Sequence, residues 1–110
     1  MAETQVTARK ALGTTYGTSV YECPSATKAI VLNAQCANVD GSVSVDVSAQ
    51  WLDSSASNVA TRLVELVAIP AKSVQNLLSG PVFLEAGDAF QAKASAAGDA
   101  ELTLAIVEIT

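Results

Sequence analysis

The residues able to do chemistry are few. The chain has no histidine, and its two cysteines, Cys23 and Cys36, stand thirteen positions apart with no second pair. Without an imidazole, Ser-His-Asp and Cys-His nucleophilic catalysis are excluded. So are most zinc sites, which draw four ligands from Cys and His. No G-x-S-x-G elbow occurs, and the six glycines are scattered through the chain rather than gathered into a phosphate-cradling loop. Carboxylates are what is left. Glu85 and Asp88 are close in sequence, as are Asp99 and Glu101, and two neighbouring carboxyls can in principle act as acid and base. Each pair stands at a turn containing Gly87 or Gly98, where acidic side chains serve local backbone hydrogen bonds instead. One such turn also falls far short of the six or more oxygens that calcium takes. The expectation is no catalytic residue, no cofactor and no metal. Such a chain binds or builds rather than catalyses.

Length and composition bound what it binds. At 110 residues the chain is one domain with one modest core. Half the residues are hydrophobic but only 5% are aromatic, so the core is expected to be thin and sheet-like. Charged residues make up 15%, against about a quarter in typical domains. Low charge with much Ala, Ser, Thr and Val suggests surface that does not face water. Residues 1–12 carry a net charge of +1 and residues 13–110 a net of −6. An acidic body argues against nucleic acid as a partner, because phosphate contacts need clustered Lys and Arg. No apolar run approaches the roughly 18–20 residues of a membrane span. The first residues lack the basic and apolar regions of a secretory signal. Reduced, packed cysteines are therefore expected rather than a disulfide.

Period-two alternation marks the elements that would position any binding surface. Val43, Val45, Val47, Ala49 and Trp51 fall on one face of a run, and Ser42, Ser44, Asp46, Ser48 and Gln50 on the other. No helix segregates residues so cleanly. Trp51 accordingly belongs with the core valines rather than to a sugar-binding platform with Tyr21. Asp40-Gly41 is a hairpin-turn signal, so residues 28–53 are expected to form one long antiparallel hairpin. Within its first strand Ile30, Leu32, Ala34 and Cys36 share the core face, and Val31, Asn33 and Gln35 the other.

A short strand over 18–23 precedes the hairpin. Residues 59–69 are expected as a strand apolar on both faces, central in the fold or at a subunit contact, with a helix over 58–67 as the alternative. Residues 74–78 read as a helical turn or a short bridging strand. Strands over 82–84, 89–95 and 100–109 follow, separated by Gly-containing turns. In the last strand Leu102, Leu104 and Ile106 face the core while Ala105, Val107 and Ile109 face out. The fold class is therefore all-β: an antiparallel β-sandwich or jelly-roll-like domain of seven to eight strands over 17–110, with an extended N-terminal arm over 1–16.

The second half carries a run of further interest: Val67-Ala68-Ile69-Pro70-Ala71, then Leu78-Ser79-Gly80-Pro81-Val82-Phe83-Leu84-Glu85-Ala86-Gly87-Asp88, then Ala92 to Gly98, closing on Leu104-Ala105-Ile106-Val107-Glu108-Ile109. It resembles small virion structural proteins of tailed bacteriophages, in which an "IPAG" turn, an "L-x-x-GD" hairpin and a final strand ending "S-x-x-E-I" recur. Lys72 departs from the pattern, which has Gly after Pro-Ala. The resemblance spans roughly residues 17–110 and implies a virion component made in the host cytoplasm.

Joined to the low charge and the apolar outer face of the last strand, it makes a capsid decoration or cement protein the leading expectation. Such a protein binds the major capsid protein, or other virion structural proteins, by apolar burial and by adding strands to exposed edges. The residues expected at the partner interface are Arg9, Lys10, Val31, Ala105, Val107 and Ile109. A homo-oligomer is expected, as a ring of three whose arms reach three neighbours. A neck, collar or tail component is the alternative, and a carbohydrate- or receptor-binding sandwich the next.

Overall fold

The computed structural model describes residues 2–110. It holds nine strands in two antiparallel sheets: β1 Glu3–Ala11, β2 Tyr21–Glu22, β3 Lys28–Asn38, β4 Val45–Asp53, β5 Val59–Ile69, β6 Val74–Asn76, β7 Val82–Leu84, β8 Ala89–Ala94 and β9 Ala100–Ile109. One 3-10 turn, Ser54–Ala56, follows β4. The first sheet runs β1-β9-β3-β6, with β7 also on β3; the second runs β2-β8-β4-β5. The fold is thus the all-β sandwich expected from the alternation.

The core lies between the sheets, because each contributes one apolar face. Val31, Ala34, Cys36, Leu102, Leu104 and Ile106 come from the first sheet, and Val45, Val47, Ala49, Phe90 and Ala92 from the second, all 2% exposed or less. Phe90 is the largest fully buried side chain in a layer otherwise rich in Ala and Val. At one end Tyr21 of β2 donates its hydroxyl to Glu108 Oε2 of β9 at 2.5 Å, tying the sheets together. Burial first, then the Glu108 carboxylate, raises the Tyr21 pKa, so the phenol stays protonated and keeps donating.

Three expectations change. Residues 28–53 are not a hairpin. β3 pairs with β9, β6 and β7, while β4 pairs with β5 and β8. Asp40-Gly41 lies in a crossing between sheets, where the Asp40 carboxylate accepts from the Ser42 and Val43 N–H groups at 2.8 and 3.1 Å. Alternation reports which face is buried, and two strands facing each other across a core show it as clearly as two strands side by side.

Second, the register of β3 against β9 shifts between Val31 and Asn33. This bulge reverses the parity of the strand. Ala29 and Val31 point inward before it, and Ala34 and Cys36 after it. Third, residues 3–11, expected as part of an arm, lie on the sheet as β1 and pair with β9 from Glu3↔Ile109 to Ala11↔Glu101. β5 is a strand, as expected, but at the edge of its sheet rather than its centre.

The Pro70–Ser73 turn accounts for the departure at Lys72. Ser73 N–H donates to the Pro70 carbonyl at 3.1 Å, and Lys72 sits at φ +60°, the left-handed region that glycine enters without steric cost. The turn keeps the glycine geometry and bears the strain in a lysine. Lys72→Gly is expected to raise stability by about 0.5 kcal/mol in urea denaturation, strain relief outweighing the added unfolded-state entropy. A loss of stability would contradict this account of the turn.

Candidate partner interface

The two outer faces of the sandwich differ. That of β8-β4-β5 carries a network of polar side chains, although Leu66 of β5, beside Ser48 and Lys93, is 60% exposed. Gln50 Nε2 donates to Gln91 Oε1 at 2.7 Å, Arg62 Nη1 donates to Gln50 Oε1, and Arg62 pairs with Glu65 at 2.7 Å. The Tyr16 ring joins them, with the Arg62 guanidinium 5.1 Å and the Lys93 ammonium 4.9 Å from its centroid. Both cations are thus held against a π face. Ser48 and Gln50, outward by alternation, are consequently buried.

The outer face of the other sheet has no such cover. Registers place Phe83, Ile30, Val107 and Gln5 in one row across β7, β3, β9 and β1. Phe83 is 71% exposed, and Leu32, thrown outward beside the bulge, is 49% exposed. Ile30 and Val107 are half-buried between these neighbours. Cross-strand apolar pairs of this kind stabilise a sheet modestly, but a large exposed ring at the end of the row is surface that water solvates poorly. This row is the candidate interface.

Of the residues expected at a partner interface, Val107 and Ala105 lie on this face, half-buried. Ile109 is half-buried at its end, beside Lys28 and Thr110, where they line an open cleft of about 580 Å³. Arg9 is exposed on β1. Val31 is a correction: it is 0% exposed, because the bulge turns it inward and puts Ile30 and Leu32 outward. Lys10 points to the core side of β1, and its ammonium donates to the Tyr16 and Thr18 carbonyls, so it serves the chain's own fold. Phe83, Ile30 and Leu32 were not foreseen. Phe83 had a signal, since it stands between the inward Val82 and Leu84; Ile30 and Leu32 had none, because nothing in the sequence marks the bulge.

Burial and local hydrogen bonds set the state of the thiols and of Asp88. Burial pushes the Cys36 thiol up to about 11. Burial, then the Glu108 and Asp88 charges, raises Cys23, whose Sγ donates to the Thr27 carbonyl at 3.3 Å. Thiols so protonated are poor nucleophiles. Asp88 is 1% exposed and fully engaged. Its Oδ1 accepts from Ser54 N and Oγ at 2.9 and 3.0 Å, and its Oδ2 from Glu85 N and Trp51 Nε1 at 2.9 and 3.2 Å. Burial alone would raise this carboxyl's pKa; the hydrogen bonds from Glu85, Ser54 and Trp51 outweigh it and hold it below the ordinary aspartate value. Among the described residues no group of three His, Cys, Asp or Glu could hold a metal ion. Trp51, half-buried with its indole N–H held by Asp88, is an anchor between β4 and the β7–β8 turn.

The chain shares its fold with known structures. It is similar in fold to a subunit of the Bacillus endospore appendages described as a novel family of disulfide-linked pili. That match has 14% identity over 99% of this chain and 87% of the other, at a TM-score of 0.55. It is also similar to a chain of the T13 particle of IBDV, with 4% identity over 96% of this chain and 30% of that one, at a TM-score of 0.52. At such identities the likeness is one of fold. No protein-family profile matches the sequence, and no curated protein does.

Proposed function

We propose that the chain is a non-enzymatic structural subunit of a bacteriophage virion, lying on the assembled capsid as a decoration or cement protein and binding the major capsid protein. The observation that carries this reading is the apolar row Phe83–Ile30–Val107 with Leu32 on the outer face of the five-stranded sheet, where Phe83 is 71% exposed. A sheet face that carries an exposed apolar row amid polar side chains has a place for a neighbour to cover. Support also comes from the sequence resemblance over residues 17–110 and from the fold likeness to subunits of two assemblies, an appendage and a viral particle.

The reading is tested by mixing the purified chain with assembled shells lacking it and sedimenting the particles. Saturable binding, at a copy number comparable to that of the capsid subunits, is expected. Saturation at a handful of copies per particle would move the subunit to the neck, collar or tail. No binding to any particle would remove the reading. A carbohydrate-binding role has less support, because Trp51 is half-buried and packs against the core rather than offering a free ring face.

A further inference from the structure

The free edges of the two sheets are not alike. β2 has two residues, and β6 and β7 three each. β5 is long, but its register against β4 shifts between Val47 and Ala49 and again between Ala49 and Gln50, and Leu66 within it sits at φ +53°. Short strands and bulges are how proteins blunt an edge against pairing. β1 has neither device. Its nine residues pair with β9 in unbroken register, contain no proline, and pair with no other strand among the described residues. Lys10, whose inward charge would ordinarily guard such an edge, is drawn away from it by hydrogen bonds to the Tyr16 and Thr18 carbonyls.

The hydrogen bonding fixes which groups are free. Ala2 and Thr110 exchange both backbone bonds, at 3.1 and 2.9 Å, and Leu12 N–H donates to Ala100 at 2.9 Å. Bonded and non-bonded pairs alternate in an antiparallel ladder. Even-numbered residues of β1 therefore turn their N–H and C=O to β9, and Glu3, Gln5, Thr7 and Arg9 turn theirs to the open edge. The side chains of these four stand on the outer face, with Glu3 towards one end of the strand and Arg9 towards the other.

We infer that β1 is a self-pairing edge, where a second copy of this chain adds its own β1 antiparallel across a two-fold axis at Val6. In that register Glu3 stands opposite Arg9 of the other copy and Gln5 opposite Thr7, all with free backbone groups, while Val6 meets its own counterpart on the core side. Each charged pair occurs twice by symmetry. Cross-strand opposite charges favour this register and like charges disfavour it. The apolar rows of the two outer faces then lie side by side on one continuous sheet. This goes beyond the proposed function, since it names a partner and a geometry whatever particle the subunit joins.

Analytical ultracentrifugation of the full chain tests it, with circular dichroism as the folding control. The wild type is expected to sediment as a reversible dimer. Glu3→Arg and Arg9→Glu should each raise the dimer dissociation constant roughly ten-fold, and the double exchange should restore it. Thr7→Pro, which removes an edge-facing N–H while leaving the β9 ladder intact, should abolish the dimer. A monomer at all concentrations, a trimer, or a dimer indifferent to the single charge changes would overturn the inference. Single changes that weaken the dimer without restoration in the double exchange would overturn the register.

Discussion

Replacing Asp88 with alanine is expected to lower folding stability by about 3–4 kcal/mol, most of the margin of a small domain. The carboxylate is 1% exposed and receives the Ser54 and Glu85 N–H groups, the Ser54 hydroxyl and the Trp51 indole. Alanine leaves these four donors without their carboxylate acceptor. The cost is dominated by their lost partner rather than by the volume removed. The effect also has a pH signature. The folded pKa lies below the ordinary value, and the unfolded value is about 3.9. The stabilisation is thus fully present above the unfolded value and is lost as pH falls through the folded one. Wild-type stability should therefore fall as pH drops below about 4, and Asp88→Ala should show a shallower fall from a lower plateau. Urea denaturation followed by Trp51 fluorescence measures both. A loss under 1 kcal/mol at neutral pH, or an acid profile parallel to the wild type, would show that the four contacts do not act together.

The second large effect is expected at Phe83. Phe83→Asp should leave folding stability within about 0.5 kcal/mol, because the side chain is 71% exposed. It should weaken association with the assembled particle by at least about 100-fold. Burying the exposed part of an aromatic ring contributes roughly 2–3 kcal/mol, and an aspartate forced into the same contact adds a desolvation cost. Phe83→Leu should retain most of the binding, which separates apolar burial from ring-specific contacts. Equal binding of Phe83→Asp and wild type would place the neighbour elsewhere.

How far these features were legible depends on what each signal reports. β4 and β9 were plain in the sequence, because Val45, Val47 and Ala49, or Leu102, Leu104 and Ile106, alternate with polar or small residues over several turns of the pleat. The same alternation was silent on pairing. β3 and β4 both bury a face in one core, so the expected hairpin and the observed pair of facing strands write the same pattern. β1 has little signal because Thr4 and Lys10 interrupt the inward Val6 and Ala8; an edge strand half-covered by its neighbour needs no more.

The interface divides in the same way. Val107 and Ala105 could be read because β9 is regular. Val31 faces outward by strict alternation but is buried, because one extra residue at the β3 bulge inverts everything before it. That inversion also sends Ile30 and Leu32 to the outer face and so completes the apolar row beside Phe83. The Glu85–Asp88 turn was recognised as structural, but the reach of Asp88 to Trp51 and Ser54 is a tertiary fact with no local signature.

The central claim is that the outer face of the β1-β9-β3-β7 sheet is the face that assembles. A particle reconstruction in which the chain is placed and its neighbours traced tests it most directly. The account predicts Phe83, Ile30, Leu32 and Val107 in contact with another chain, and the Gln50, Arg62 and Tyr16 face towards solvent. The opposite orientation, with the Phe83 row bare and the polar face engaged, would contradict it.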